Sequence, residues 1–326
     1  MTPAGEEIAR AAAILRAGGL VAFPTETVYG LGADAGNPAA VAKIFAAKGR
    51  PQDHPLIVHL ADVALLPLWA RDVPPAALDL AAAFWPGPLT LILKRAAGVP
   101  DCVTGGQDTV GLRVPAHPVA LALLRAFAGE EGARRYSGVA APSANRFGRL
   151  SPTSAAHVHA ELGAAVDLVL DGGVCAVGIE STILDLSRER AVLLRPGQIT
   201  PEQLAAVLHG EVALPDAGAP RVPGALESHY APRTPLYLVA AAELPARLAA
   251  QGGARLAVLA CSAAPPGLRE VAWHTAPRAA AAYAHELYAS LRRLDDLDCA
   301  AILVEAPPAM PEWQGVNDRL KRAASK

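Results

Sequence analysis

Several short stretches of this chain set hydroxyls, guanidiniums and imidazoles on glycine- or proline-punctuated turns where apolar runs end, the places from which a rigid scaffold presents groups to a ligand. Phe23-Pro-Thr-Glu-Thr-Val-Tyr-Gly-Leu-Gly32 leaves the apolar run Leu20 to Phe23 with two threonines, a glutamate and a tyrosine. Lys48-Gly-Arg50-Pro closes a helical pattern. Lys48 there can satisfy the last helical carbonyls, whereas Arg50, fixed between Gly49 and Pro51, carries the planar fork that grips a phosphate or carboxylate at two points. In Thr109-Val-Gly-Leu-Arg113-Val-Pro the two-residue period of a strand puts Thr109, Gly111 and Arg113 on one face. A guanidinium in so apolar a strand needs an anion, either an internal carboxylate or that of a bound molecule.

The segment Ala141-Pro-Ser-Ala-Asn145-Arg-Phe-Gly-Arg-Leu-Ser151-Pro-Thr-Ser154 is dense in small hydroxyls, with Arg146 and Arg149 adding positive charge. Such a loop can aim N–H and hydroxyl groups at a phosphate, or serve as turns and a helix cap at Thr153 or Ser154. Gly178-Ile-Glu-Ser-Thr182 and Arg195-Pro-Gly197 are further polar breaks at strand ends. His59 within a strand is either a core residue or a ligand contact. With His54 it has a conceivable metal spacing, but no third ligand lies nearby, so zinc is not expected.

Two nucleotide signatures are dismissed. Gly30-Leu-Gly32-Ala-Asp-Ala35 fits the loose dinucleotide fingerprint, yet the chain runs on to Asn37-Pro38 before a helix begins. No G-x-x-x-x-G-K-[ST] occurs, so any ATP site is not a P-loop.

The elements that must hold these groups follow from periodicity. Helices are expected over Glu6 to Ala17, from Asn37-Pro38 to Gly49, over Ala76 to Phe84, Pro118 to Phe127, and near Ser154 to Leu162 and Pro201 to Leu208. Strands are expected at Leu20 to Phe23, Leu56 to Leu60, Leu89 to Lys94, Thr109 to Val114, Gly138 to Ala141, Val166 to Leu170, Thr182 to Leu186 and Val192 to Leu194. Their mixed order predicts a twisted mixed α/β sheet, not an alternating βαβ array. Pro215, Gly218, Pro220, Pro223, Gly224 and Pro232 then break every period, marking residues 210–234 as a stiff Pro-rich linker able to lie along a surface. Beyond it, strands at Leu236 to Val239, Leu256 to Ala260 and Ala300 to Val304 alternate with helices at Glu243 to Ala250 and Ala279 to Leu294. Asn317 is expected to cap a last helix through Lys321. That alternation predicts a smaller, parallel, Rossmann-like α/β domain. The expected division is therefore 1–209, 210–234 and 235–326.

With 326 residues, 52% hydrophobic and 18% charged, the chain is long enough for two full cores. A net charge of −2 excludes a global field for nucleic acid, so any polyanion must be held by a local cluster. Cys102, Cys175, Cys261 and Cys299 lie in or beside apolar runs without metal spacing, as in a reducing compartment. The start lacks a leader pattern and no apolar run reaches membrane length, so a cytoplasmic protein is expected.

In their joint order, from Gly19 to Gly197, these motifs resemble the YrdC/Sua5 family, and His229-Tyr230-Ala-Pro232 resembles the signature where linker meets second domain in its two-domain Sua5-type branch. The resemblance implies a YrdC-like catalytic domain and a Sua5 C-terminal domain. It implies synthesis of L-threonylcarbamoyladenylate from L-threonine, bicarbonate and ATP, with release of pyrophosphate, for N6-threonylcarbamoyladenosine in tRNA. Threonine would contact Thr27, His59, Arg113, Ala141 and Ser181; ATP would meet Arg50, His54, Thr109, Ser143, Ser151, Arg195 and Tyr230. Lys48 and Arg50, with Ser143 and Asn145, match the family's K-x-R and S-x-N pattern around the phosphates, while His54 stands where the family usually has asparagine. Mg2+ is implied with ATP, held mainly by phosphate and water with no protein side chain, and Glu26 can orient a group there or serve structure. Downstream proteins that transfer threonylcarbamoyl to tRNA are implied partners; direct tRNA binding and the oligomeric state stay open. Rival expectations are an RNA- or ribosome-binding module using Lys48, Arg50, Arg146 and Arg149, and carbamoyl-phosphate chemistry of the hydrogenase-maturation type.

Overall fold

A computed structural model describes residues 5–129, 137–224, 230–250, 254–268 and 270–324. In chain order the first unit runs α1 (Gly5–Arg16), β1 (Val21–Phe23), β2 (Gly30–Asp34), α2 (Pro38–Lys48), β3 (Ile57–His59), α3 (Leu66–Trp69), α4 (Pro75–Phe84), β4 (Leu89–Lys94), α5 (Asp101–Thr104) and β5 (Thr109–Arg113). It continues with α6 (Pro118–Ala128), β6 (Val139–Ala140), α7 (Ala155–Leu162), β7 (Leu168–Val169), β8 (Thr182–Asp185), β9 (Val192–Arg195) and α8 (Pro201–Leu208). Among the described residues these strands form one nine-stranded sheet in the order β7-β1-β2-β6-β3-β5-β4-β8-β9. Parallel pairs (β1 with β7, β3 with β5, β4 with β8) alternate with antiparallel ones, so the sheet is mixed.

The strand β2 was not expected, because Gly30 and Gly32 in Gly-Leu-Gly-Ala-Asp look like turn residues. The glycines are there for closeness of approach. A Cβ at Gly32 would lie 2.8 Å from the Phe23 ring and 2.9 Å from Val139. Helix α2 begins as its sequence dictates: Asn37 accepts from the amides of Ala39 and Ala40, and Pro38 needs no donor there. Gly49, left-handed at φ 62°, ends it, so Arg50 leaves the helix at a fixed angle with its amide bonded to the Phe45 carbonyl at 3.0 Å.

The second unit comprises β10 (Leu236–Val239), α9 (Leu244–Ala249), β11 (Leu256–Ala260), β12 (Val271–Thr275), α10 (Ala280–Asp295), β13 (Ala301–Glu305) and α11 (Gln314–Ala324). Its sheet is parallel throughout, in the order β10-β13-β11-β12. The edge strand β12 escaped the sequence because it is only half-buried. Asn317 does not cap α11, which starts three residues earlier; its amide instead donates to the Pro308 carbonyl.

The described part of the linker is tied down. Ala213 exchanges backbone bonds with the β9 region, Gln107 brackets Arg221, and the Ala231 amide donates to Gly148 at 2.9 Å. One apolar cluster joins Val28, Leu150 and Ile179 of the first unit to Leu287, Tyr288 and Val316 of the second. No helix of the described residues is long and apolar enough to cross a membrane.

Candidate active site

Side chains from strand ends of the first sheet and from the linker converge on one cavity, enclosing about 540 Å3 of space partly continuous with solvent. At the end of β1 the chain makes a hydroxyl-stitched turn. Thr25 Oγ1 donates to the Val28 carbonyl at 2.7 Å and accepts from the Thr27 and Val28 amides at 3.2 Å. This aims Thr27 inward against Arg113, which ends β5.

Arg113 is 3% exposed. Its Nη2 lies 2.6 Å from Glu26 Oε1, its Nη1 donates to Thr27 Oγ1 at 3.0 Å, and its Nε donates to the Gly87 carbonyl at 3.1 Å. Glu26 is held in turn by the Ala116 amide at 2.9 Å. The internal carboxylate expected for Arg113 is Glu26, and Arg113 also lines the cavity.

His59 ends β3, directly opposite Arg113 in the parallel register. Burial, and then the Arg113 charge, push its pKa down to about 3, so the ring is neutral. Among the described residues its buried Nδ1 has no hydrogen-bond partner, an arrangement native interiors rarely leave without a reason. Ala141 also lines the cavity, and its amide donates to the Ile57 carbonyl at 3.0 Å.

On the opposite wall, Ser181 Oγ shares a hydrogen bond with Thr90 at 2.8 Å and accepts from Arg195 Nη2 at 3.0 Å. Arg195, ending β9, also grips the Ser181 carbonyl through Nε and Nη2 and reaches the Pro223 carbonyl of the linker at 2.8 Å. Arg50 donates through Nη2 to the Pro55 carbonyl at 2.9 Å and packs 5.8 Å from the centre of the Phe147 ring. Burial lowers its pKa to about 10, which still leaves it charged at neutral pH, and among the described residues its Nε has no partner. Ser143 enters because its loop lies along β2: Leu31 donates to the Pro142 carbonyl at 2.7 Å and Ala144 donates to that of Tyr29 at 2.8 Å.

Thr27, His59, Arg113, Ala141, Ser181, Arg50, Ser143, Arg195 and Tyr230 thus share one cavity. Lys48, His54, Thr109, Ser151 and Asn145 do not line it. The Lys48 ammonium is buried and donates at 2.5 Å to the carbonyls of both Ser143 and Asn145, so it pins the loop that offers Ser143. Burial holds its pKa well below the usual lysine value. Asn145 Nδ2 closes the same loop on the carbonyls of Arg146 and Arg149, each at 2.8 Å. Ser151 Oγ donates to Glu180 at 2.5 Å. Thr109 begins β5, four residues from Arg113 and so about 13 Å along the strand. His54 sits edge-on to Phe147 at 5.4 Å, its pKa lowered by burial and by Arg50.

Tyr230 is 1% exposed and holds a left-handed φ of 59°, costly for a tyrosine and sustained by its packing. Its ring lies 5.4 Å from the Arg319 guanidinium and 5.9 Å from Tyr288. The ring is a buried wall of the cavity. Gly224 makes room for it, since a Cβ there would fall 1.9 Å from the Tyr230 hydroxyl. His229 lies outside the described residues.

Glu180, which lines the cavity, and its partners Tyr288 and Arg319 had no role foreseen from the sequence. A signal for Arg319 existed: it shares the stripe Val316, Leu320 and Ala323, where a charge demands a buried partner.

A family model described as "Telomere recombination" matches residues 13–197, and one described as "Threonylcarbamoyl-AMP synthase, C-terminal domain" matches residues 199–325. A Bacillus subtilis protein named threonylcarbamoyl-AMP synthase is 41% identical over 98% of this chain and 93% of its own length. A namesake from Pyrococcus abyssi is 46% identical over 70% of this chain and 66% of its own. The crystal structure of P. abyssi Sua5 complexed with L-threonine superposes with a TM-score of 0.90 at 36% identity, covering 99% of this chain and 96% of that one.

Proposed function

Since this chain belongs to the two-domain Sua5 branch of the YrdC family, we propose that its cavity joins L-threonine, bicarbonate or CO2 and ATP into L-threonylcarbamoyladenylate, with pyrophosphate released. The observation that carries this reading is that Arg50 and Arg113, one guanidinium for each anionic substrate, line the same cavity. In the solved relative the bound amino acid is L-threonine. Beyond its bonds to Thr27 and Glu26, Arg113 has one further N–H on each Nη that a substrate carboxylate can accept. The buried His59 Nδ1 can add a single neutral hydrogen bond but no charge. Thr27 and Ser181 offer the hydroxyls that would read the threonine amine and side chain.

The reaction needs a neutral threonine amine. Its lone pair attacks CO2, forming the N–C bond of a carbamate as a proton leaves. A carbamate oxygen then attacks the α-phosphorus of ATP, and the bond to the β-phosphate bridging oxygen breaks to free pyrophosphate. Such a transfer asks for positioning and charge neutralisation more than for covalent help. Arg50 and Arg195, with Ser143 between loop and strand, are the groups we assign to the phosphates. Both carboxylates at or beside the cavity are held by arginines, Glu26 by Arg113 and Glu180 by Arg319. A Mg2+ ion would accordingly arrive on the nucleotide, its ligands phosphate and water, and would offset the charge of the departing pyrophosphate.

The product is a mixed anhydride open to hydrolysis, and Pro223, Gly224 and Tyr230 of the linker wall the cavity against water. We place the reaction in the cytoplasm, where proteins that transfer the threonylcarbamoyl group to tRNA would consume the product; the four free cysteines agree with a reducing compartment. Purified protein supplied with threonine, bicarbonate, Mg2+ and ATP is expected to release pyrophosphate, and to stop when threonine is omitted. Release that ignores threonine would overturn the assignment.

A further inference from the structure

A cavity that must admit a triphosphate and an amino-acid carboxylate also contains a carboxylate of its own. Glu180 lines it. Burial alone would favour the neutral acid, but Arg319 and Arg195 outweigh it and keep Glu180 below the usual carboxylate range, hence ionised. An uncompensated anion there would repel ATP at close quarters.

Of these compensating charges, the first comes from the other unit. Arg319, 1% exposed on α11, sets its Nε 2.6 Å from Glu180 Oε2 and donates through Nη2 to the Glu180 carbonyl at 3.2 Å. Its Nη1 donates to the Pro196 carbonyl at 2.9 Å and meets Asp318 at 2.7 Å. Glu180 also accepts from Ser151 Oγ at 2.5 Å and from the Tyr288 hydroxyl at 3.0 Å. The same guanidinium carbon lies 5.4 Å from the centre of the Tyr230 ring, the wall contributed by the linker. One side chain of the second unit therefore touches a cavity carboxylate, the strand-end turn at Pro196 and the linker tyrosine at once.

We propose that Arg319 is a positioning residue for ATP: by cancelling Glu180 and backing Tyr230, it makes the second unit a working part of the nucleotide side of the site. This rests on the ATP-dependent reaction assigned above. Removing one partner of a buried pair leaves the other charge uncompensated. Arg319→Gln should thus harm ATP use through Glu180, and the added Glu180→Gln should relieve that harm by making the pair two amides.

The test compares wild type, Arg319→Gln, Arg319→Lys and the double variant by thermal melting, by calorimetric titration with Mg·ATP, and by pyrophosphate release at varied ATP and threonine. Arg319→Gln is expected to raise the ATP KM and Kd by about ten- to a hundredfold, with the threonine KM moved less than about threefold. The double variant should regain most of that loss. Lysine, charged but without the fork, should fall between wild type and glutamine. An Arg319→Gln protein that binds Mg·ATP like wild type overturns the proposal, as does a double variant no better than the single, or an equal rise in both KM values. Should Arg319→Gln not fold, the double variant and Arg319→Lys decide the matter, since wild-type-like ATP KM in the lysine variant also overturns it. If wild type itself releases no pyrophosphate, the assigned reaction fails, while calorimetry with Mg·ATP still reads whether Arg319 matters.

Discussion

His59 and Arg113 face each other across parallel strands β3 and β5, and the charge of the arginine helps keep the histidine neutral. Only one of the two can offset a carboxylate, so in the proposed site that task would fall to Arg113. Arg113→Ala is expected to raise the threonine KM by about ten- to a hundredfold, the usual cost of a charge-assisted contact, with a smaller change for ATP. Pyrophosphate release at varied threonine measures it, and an unchanged threonine KM would sink the assignment.

Arg50→Ala should show the reverse pattern. Among the described residues its guanidinium bonds one carbonyl and leaves Nε unpartnered, so donors remain for phosphate. The ATP KM should rise about ten- to a hundredfold while the threonine KM moves little. Equal effects on both substrates would show that Arg50 merely holds up the turn.

The neutral His59 ties stability to pH. In the folded chain it takes a proton only near pH 3, whereas unfolded it does so near 6.5. The stability it protects is complete above pH 6.5 and drains away as pH falls from there toward 3, by about 1.4 kcal/mol per unit. Urea unfolding at pH 7.5 and 5.5 should therefore show a flatter pH dependence for His59→Gln than for wild type. Parallel curves would refute this.

Lys48→Met leaves the carbonyls of Ser143 and Asn145 buried without their donor. Each orphaned group costs about 1–3 kcal/mol, so the melting temperature should fall clearly and ATP use should fall with it. If ATP use collapsed with no loss of stability, Lys48 would be touching substrate instead of pinning the loop.

Gly224→Ala tests the linker wall. The new methyl would fall 1.9 Å from the Tyr230 hydroxyl, at a residue whose φ of 74° already disfavours alanine. Displacement of Tyr230 should raise the ATP KM about tenfold for a stability loss of about 1 kcal/mol. Wild-type kinetics in this variant would mean that the tyrosine does not bound the nucleotide space.

Much of the fold was legible because its elements carry local signals. Asn37-Pro38 and Gly49 announce both ends of α2, and the apolar runs that became β4, β5, β8 and β11 could be placed from their periodicity. The strand β2 was hidden because its glycines answer to Phe23 and Val139, residues brought near only by the folded sheet. The cavity residues His59, Arg113 and Arg195 were legible through the resemblance of their motifs to a known family; strand period alone left His59 as core or contact and Arg113 with an internal or a bound anion. Roles that depend on a distant partner were not. Nothing local says that the Lys48 ammonium meets two loop carbonyls or that Glu180 is claimed by a helix about 140 residues later, a separation of 139 positions along the chain.

The oily seam shared by Val28, Leu150 and Ile179 with Leu287, Tyr288 and Val316 has a bearing on truncation. A version of this chain shortened to its first half would carry a raw greasy scar beside the pocket mouth. A chain lacking the second unit is therefore expected to need polar residues at Val28, Leu150 and Ile179 to stay dispersed in water.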